Sequence, residues 1–386
     1  MIYNPFVNLA RELLKEDNLP YAIKARATIA SVPACPEIRS AGAQNFLSDL
    51  GVRYRRDPAI YLDSFLKSRG DSLEAYTSTI SPELFYKSWK ESNLSENDMA
   101  FHVDTFVNFA GQWDFAAKVG DLFWNDRRNA TSYLALTYFA SAIGNTKVVN
   151  NKIADEIYLQ LLDIYKEQFD ELVITYIRYC SRLIKRVGNL SEACVLLKNA
   201  KETIKKAFSE YKLSFDDKVV YDSVCDNLSA LIELKSNNAP RALRILSEAA
   251  RKLESLEGNH VVSKIDPSKR IIEQINGNIL QLYLLNKDYI NAMELAKKNL
   301  IWVTSNDYSS LSEAESFIAY TYYLSGQLEK AEGHYIKSLS LSKKFGLVSQ
   351  VELIRKTLCV IYAKTNNQEK YLKMYEELKD DPAGLK

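Results

Sequence analysis

The sequence has 386 residues, of which 47% are hydrophobic and 26% are charged, and its net charge is +1. This composition fits a folded protein and excludes a globally disordered chain. With only 13 Gly and 9 Pro, the chain has too few turn-forming residues for an all-β fold, which needs a turn about every 8–12 residues. Basic and acidic residues alternate along nearly the whole length, so no large field marks a dedicated nucleic-acid or membrane binder.

The first 95 residues read as a series of short helices. Start signals such as Pro20, Pro36, Pro58 and Ser81 mark their beginnings, because proline and serine favour the first positions of a helix. The predicted helices are 6–16, 20–31, 36–50, 57–68 and 82–91. We expect residues 1–95 to form a helical N-terminal domain, or a cap that covers the end of the array that follows.

From residue 96 onward, a turn residue is repeatedly followed five positions later by a small residue. The clearest copy is TYYLSGQLEKAEGHYIKSL, Thr321 to Leu339, in which Gly326 precedes Ala331. The same spacing joins Gly111 to Ala116, Gly188 to Ala193, Asn237 to Ala242 and Lys287 to Ala292, and Tyr371 takes the place of the alanine after Asn366. A further hairpin is expected around Gly144. This recurrence predicts a series of helical hairpins that begins at residue 96.

The helix before each turn has recurring positions of its own. Tyrosines at 283, 322 and 362 lie four residues before the turn residue, and aliphatic side chains at 279, 318 and 358 lie eight residues before it. These spacings place both side chains on one face of a helix. The pattern is typical of hairpins that stack on one another.

The combination of Gly326, Ala331 and Tyr335, preceded by Ile318, Ala319 and Tyr322, resembles a tetratricopeptide repeat. The resemblance extends over about residues 97–383 and is best at 312–345, although the intervals between turns vary and Lys343 replaces the closing proline. The long hairpins are similar in format to those of bacterial peptide-sensing regulators. The resemblance implies an all-α fold, a right-handed α-solenoid of such hairpins over residues 96–386.

The resemblance also implies a binding surface, because the first helix of each tetratricopeptide hairpin lines a concave groove. The groove positions lie three, six and ten residues before the turn residue. They correspond to Arg178, Arg182, Lys185, Asn227, Gln281, Tyr320 and Tyr323. The first three follow i, i+4, i+7 spacing and share one helical face. Such a basic, amide and aromatic groove suits an extended peptide. Alternatively, the cations are only solvated and the tyrosines pack between repeats.

Basic residues also cluster near the N-terminus, where Arg53, Arg55 and Arg56 follow one another closely. A helix-turn-helix interpretation would make 20–31 the first helix and 36–50 the recognition helix. The second of these helices has just one basic residue, and prolines bracket the connection. Contact with nucleic acid and a solvated basic face therefore remain two open interpretations, and the second is favoured.

We predict a non-enzymatic protein without cofactor or metal. The three histidines lie in separate segments, no glycine-rich phosphate loop occurs, and no acid, base and nucleophile cluster along the chain. The leading hypothesis is an adaptor or regulator that holds a protein or peptide partner in its groove. The alternative is a peptide-gated transcription or signalling regulator whose N-terminal helices bind DNA or a target protein.

The sequence also favours a cytoplasmic protein that does not span a membrane. Its five cysteines form no CxxC pair, which suits a reducing compartment. The chain shows neither a secretion signal nor an apolar stretch of membrane-spanning length. The oligomeric state is open, and a homodimer is compatible with the sequence.

Overall fold

The computed structural model describes residues 4–34, 56–256, 267–306 and 310–381. Within these residues all regular structure is helical and no strand occurs. The predicted all-α class is therefore confirmed.

Serine caps begin three of the N-terminal helices, of which the helix after Ser81 was predicted and the helix Leu73–Ser78 was not. Ser72, Ser81 and Ser95 each accept a hydrogen bond from a backbone N–H in the first turn of the helix that follows, which satisfies a donor that the helix itself leaves unpaired. The elements are α1 Pro5–Leu13, α2 Tyr21–Ser31 with a 3₁₀ turn Val32–Ala34, α3 Asp57–Ser68, α4 Leu73–Ser78, α5 Pro82–Lys90 and α6 Glu96–Asp104 with a π-helical turn Thr105–Phe109. The predicted helix 36–50 lies outside the described residues.

Thirteen further helices follow in the part of the chain that the structure describes after residue 112. They are α7 Trp113–Asp126, α8 Tyr133–Asn145, α9 Lys152–Ile164, α10 Phe169–Arg182 with a π-helical turn Leu183–Val187, α11 Leu190–Ser209, α12 Phe215–Lys235, α13 Ala239–Glu254, α14 Pro267–Leu285, α15 Tyr289–Asn306, α16 Leu311–Leu324, α17 Leu328–Phe345, α18 Val348–Lys364 and α19 Gln368–Asp380. Within the described ranges, short connections separate consecutive helices, as in a helical-repeat fold.

The turn residues predicted from the repeat all adopt the left-handed backbone conformation. Their φ angles range from 53° to 82°, and they are Gly111, Gly188, Asn237, Lys287, Gly326 and Asn366. At Gly326 no atom lies within 4 Å of the position that a Cβ would take. Glycine is therefore favoured there by its φ of 80° and not by lack of space.

The alanines five residues after these turns are fully buried. Ala116, Ala193, Ala242, Ala292 and Ala331 all have no exposed surface. Around Ala331, the core contains Ala319 from α16, Tyr335 from α17 and Leu358 from α18. A small side chain allows two helices to approach closely at this point, so the predicted hairpin packing is confirmed.

The helices form two compact units. The central unit is Trp113–Leu282, and the bipartite unit combines Met1–Gln112 with Tyr283–Lys386. In the central unit each helix from α7 to α12 packs against the next one along the chain. The close approach of α7 and α8 requires Gly120, because a Cβ there would lie 2.8 Å from the ring of Phe139.

The bipartite unit joins segments that are far apart in the sequence. Helices α2 and α3 pack against α17 and α18, and the ring of Tyr21 meets that of Phe345 edge-on. Gly346, which ends α17 with a φ of 72°, lies so close to α2 that a Cβ would be 2.5 Å from Cβ of Pro20. The predicted division into residues 1–95 and 96–386, and the handedness of the solenoid, stay predictions.

Two buried polar contacts stabilise this unit. Arg26 in α2 donates to the carboxylate of Asp104 at 3.0 Å, and the two side chains are 2% and 4% exposed. The carboxylate of Asp57 accepts the backbone N–H of Ser349 at 2.8 Å, in the first turn of α18. Asp57 thereby satisfies an unpaired donor at the start of a helix 292 residues away.

Candidate functional site

Helix α10 carries the basic residues that the repeat register assigns to the groove. The helix begins at Phe169 with Asp170 and Glu171 in its first turn, where acidic groups interact favourably with the helix dipole. After Arg182 it continues as the π-helical turn 183–187 and ends at Gly188 in the left-handed conformation. Its three predicted groove residues have different surroundings.

Arg178 is exposed, and among the described residues its guanidinium forms no ion pair or hydrogen bond. It lies near two phenols of the preceding hairpin, Tyr133 in α8 and Tyr158 in α9. Burial raises the pKa of both phenols, and the positive charge of Arg178 opposes that rise. We call these three residues the arginine–tyrosine cluster.

The arginine–tyrosine cluster contains hydrogen-bond donors and no carboxylate, although the negative charges of Glu171 and Asp155 act on Tyr133 and Tyr158, respectively. The Tyr133 hydroxyl makes one long contact of 3.4 Å to the carbonyl of Glu171, and the Tyr158 hydroxyl has no hydrogen bond in the described part of the chain. Both phenols remain protonated at neutral pH, since their pKa is raised from an ordinary value near 10. A guanidinium beside two hydroxyls can bind a carboxylate or a similar anion.

Arg182 is buried, and its guanidinium is used within the central unit. It pairs with Asp155 at 2.8 Å and donates to the carbonyl oxygens of Gly144 and Asn151. These contacts join α10 to the hairpin before it. They give Arg182 a structural role, and little of its side chain is left for a ligand.

The same contacts explain the glycine at position 144. The hairpin predicted there exists as α8 and α9, but Gly144 lies in the last turn of α8 and has no left-handed φ. A Cβ at this position would lie 2.7 Å from Nη1 of Arg182. Gly144 therefore makes room for the arginine and does not form the turn.

Lys185 is exposed, but it belongs to the π-helical turn 183–187. A π-helix has more residues per turn than an α-helix. The i, i+4, i+7 argument for one shared face assumed an uninterrupted α-helix, so it does not extend from Arg178 to Lys185.

The two amide positions of the predicted groove differ in exposure. Asn227 in α12 is half-buried and accepts a hydrogen bond of 2.8 Å from the side chain of Asn278 in α14. Gln281 is exposed near the end of α14. Asn227 thus links two repeats of the central unit, whereas Gln281 is accessible to solvent.

In the bipartite unit, Tyr320 and Tyr323 lie together on α16. Their rings stack with centroids 6.4 Å apart, and Tyr320 is 44% exposed. The Tyr323 hydroxyl accepts a hydrogen bond of 2.9 Å from Nζ of Lys364 at the end of α18. Large apolar side chains are also exposed on α18, at Leu353 and Val360. Tyr320 and Tyr323 thus form an aromatic surface that is contacted by one cation from α18.

The basic N-terminal cluster is described only in part. Arg53 and Arg55 lie outside the described residues, as does the predicted recognition helix 36–50. Arg56 is exposed directly before α3. Arg26, which contributed to the basic character of this region, is buried in its ion pair with Asp104. Contact with nucleic acid stays a prediction.

Sequence reasoning found the exposed arginine but missed its neighbours. Tyr133 and Tyr158 belong to the hairpin around Gly144, to which no repeat register was assigned. An alignment of that hairpin with the other repeats would have predicted that its helices lie beside α10. The binding role of the seven predicted groove residues stays a prediction.

Two kinds of feature are absent from the described part of the chain. No helix there is long and apolar enough to cross a lipid bilayer. No group of three or more His, Cys, Asp or Glu side chains there has an arrangement that could hold a metal ion.

Comparison with known proteins gives similarity to solved structures alone. No protein-family profile matches the chain, and no curated protein sequence matches it. Among solved structures, the chain is similar to a signal transduction ATPase with numerous domains from Pyrococcus horikoshii, which has a tetratricopeptide repeat sensor. The two are 16% identical with a TM-score of 0.44, and the match covers 75% of this chain and 47% of that one. The chain thus spans about half the length of that protein.

Proposed function

We propose that the chain is a non-enzymatic, tetratricopeptide-like protein of the cytoplasm that binds a peptide or protein partner. In the central unit, the partner contributes an acidic group that is held by Arg178. The observation that carries this proposal is the exposed and unpaired guanidinium of Arg178 beside the phenols of Tyr133 and Tyr158.

The electrostatics of the cluster favour an anion. Some exposed cations on neighbouring helices have an acidic partner within the chain, such as Lys198 with Glu202 and Lys206 with Glu210. Arg178 has none among the described residues. Both phenols are protonated at neutral pH. The Tyr158 hydroxyl can therefore donate to the same group, and the Tyr133 hydroxyl can do so if it leaves its long contact with the carbonyl of Glu171. A carboxylate of an extended peptide would receive charge-assisted hydrogen bonds of this kind.

The accessible residues beyond the cluster suit the rest of a peptide. Lys185 and Gln281 in the central unit are exposed and have no ion pair among the described residues. The bipartite unit has an accessible surface of its own, where Tyr320 offers an exposed ring for apolar or planar side chains of a partner. Arg182 is left out of this set because its donors are used within the chain.

The test compares arrays of short random peptides that carry a fixed Glu, Gln or Lys at their centre. We expect the full chain to retain the Glu series best. Arg178→Glu should weaken that series by about tenfold or more, equivalent to about 1.4 kcal/mol, and remove its advantage over the Gln series.

Arg186→Glu is the matched control, because Arg186 is also exposed, lies on the π-helical turn and has no ion pair in the described part of the chain. The same change of charge there should leave the preference for Glu intact. Equal retention of the three series by the full chain, or equal effects of the two substitutions, would contradict the proposal. Circular dichroism of each variant checks that the helices are retained.

A further inference from the structure

A second open site lies in the bipartite unit, between the first turns of α15 and the end of α16. It is a pocket of about 430 Å³, within the range of volumes that bind ligands. Its apolar walls come from Ile290 and Met293 of α15 and from Tyr322 of α16. Ile290 is 82% exposed, so a large aliphatic side chain stands in water at the open side of the pocket.

The polar groups on the α16 side of this pocket are already used. The Ser325 hydroxyl donates to the carbonyl of Tyr322, and the side-chain amide of Gln327 donates to Ser325. Lys330 in turn donates to the amide oxygen of Gln327. A ligand would therefore meet the ring of Tyr322 there and no unsatisfied hydrogen-bonding group from these side chains.

The α15 side is different, because it presents two charges without partners. Glu294 and Lys297 line the pocket and are exposed. Neither forms an ion pair or hydrogen bond with any residue that the structure describes. The nearby carboxylate of Asp288 is occupied, since it caps α15 by accepting from the backbone and side chain of Asn291.

The order of these residues along α15 decides what kind of ligand fits. Ile290, Met293 and Lys297 follow i, i+3, i+7 spacing, and Glu294 lies beside Met293. They form one helical face that is apolar in the first turns and carries a charge of each sign after them. An amphipathic helix that packs along such a face can place one large side chain in the pocket. Because the pocket is open at Ile290, that side chain can remain attached to a larger molecule.

We propose that this face of α15 is the docking site of an amphipathic α-helix of a partner protein. The helix presents a large apolar residue to Ile290, Met293 and Tyr322, with a basic residue opposite Glu294 and an acidic residue opposite Lys297. The site is separate from the arginine–tyrosine cluster and does not depend on it.

The experiment selects ligands for the full chain from a displayed library of alanine-rich helical peptides in which one face is randomised. The variant Ile290→Asp serves for counter-selection. It should fold normally, because the side chain is exposed. Enriched peptides should carry a large apolar residue with a basic and an acidic residue within one turn of it.

An enriched peptide is then labelled, and its affinity is measured by fluorescence anisotropy. Ile290→Asp should weaken binding by about tenfold or more. Ile301→Asp is the matched control, because Ile301 is 72% exposed on the same helix but does not line the pocket. The double substitution Glu294→Lys with Lys297→Glu should weaken the original peptide and favour a version with its two charges exchanged.

Several results would overturn the proposal. One is enrichment of peptides without the charge pattern, and another is equal loss of affinity with the two aspartate variants. Self-association that disappears with Ile290→Asp in analytical ultracentrifugation would instead identify this face as a contact between copies. Binding of indole but of no helical peptide would identify a small-molecule site. Arg178→Glu should leave the helical peptide's affinity unchanged, so this proposal and the proposed function fail separately.

Discussion

The central and bipartite units use the same hairpin but are stabilised over very different distances in the sequence. In the central unit, the contacts between repeats join residues such as Asn227 and Asn278, which are 51 positions apart. In the bipartite unit, Asp57 reaches Ser349 across 292 positions. The first arrangement is typical of a repeat array, in which each unit contacts its neighbours. In the bipartite unit, by contrast, the N-terminal helices pack with the C-terminal repeats.

The largest expected difference between the units concerns their buried arginines. Arg26→Met would remove the guanidinium that pairs with the carboxylate of Asp104, which is 4% exposed and would still accept from the side-chain amide of Asn108. We expect a loss of about 3–5 kcal/mol in the free energy of unfolding. Arg182→Met should cost less, since its partner Asp155 is 27% exposed and can be hydrated.

Hydrogen exchange measured by mass spectrometry distinguishes the two outcomes, because it reports on each helix separately. Faster exchange should be confined to the bipartite unit in Arg26→Met and to the central unit in Arg182→Met. Similar destabilisation by both substitutions would mean that burial of the carboxylate is not the deciding factor.

The second prediction concerns two turn glycines, of which one is required by its backbone conformation alone and the other also by a close neighbour. Gly346→Ala places a methyl group against Pro20 and also imposes a left-handed alanine. We expect a loss of about 2–5 kcal/mol in the free energy of unfolding. Gly326→Ala is the matched control, because its φ is also positive but its Cβ would meet no neighbour. Its cost should be about 1–2 kcal/mol.

Urea unfolding of both variants tests this order. Gly326→Asn provides a further check. Asn237 and Asn366 adopt the same conformation at equivalent turns, so asparagine should be tolerated better than alanine there. If Gly346→Ala cost no more than Gly326→Ala, the contact between α2 and the end of α17 would contribute nothing.

The smallest expected effect is a pH dependence that arises from Asp57. Burial raises the pKa of its carboxyl group, and the hydrogen bond from Ser349 only partly opposes this rise. The folded state therefore holds the proton more tightly than the unfolded state does. Stability contributed by this group is fully present below about pH 4, the ordinary pKa of aspartate, and is lost as pH rises through the raised value.

Asp57→Asn keeps an oxygen that accepts from Ser349 but cannot ionise. Its free energy of unfolding should vary less than that of the wild type between pH 4 and neutrality, a window set by the raised pKa of Asp57. Asp57→Ala should instead be less stable by about 1 kcal/mol throughout, because the acceptor is lost. Parallel pH profiles for the wild type and Asp57→Asn would show that the carboxyl group does not titrate abnormally.

Local features of the fold were predictable from the sequence because their causes are local. A turn residue and a small residue five positions later specify one hairpin, whatever surrounds it. All six predicted turn residues have a positive φ, including Lys287, which has no intrinsic preference for that conformation. At Lys287 the spacing to Ala292 predicted the turn, although the residue type did not.

The candidate site was less predictable because it depends on partners elsewhere in the chain. Arg178 and Arg182 have the same residue type on the same helix, yet one is exposed and the other is paired with Asp155. That partner lies 27 positions away, on a hairpin to which no repeat register was assigned. The packing of α2 against α17 was not predicted, because no local pattern encodes it.

The contact between Asp57 and Ser349 also constrains the order of events during synthesis. At about 5–20 residues per second, a ribosome needs about 15–60 s to add the 292 residues that separate these two positions. The central unit, Trp113–Leu282, is complete before α18 exists. The N-terminal helices are made first but must wait for the end of the chain before their partner surface is available. The oldest part of the nascent protein is therefore among the last to reach its native contacts.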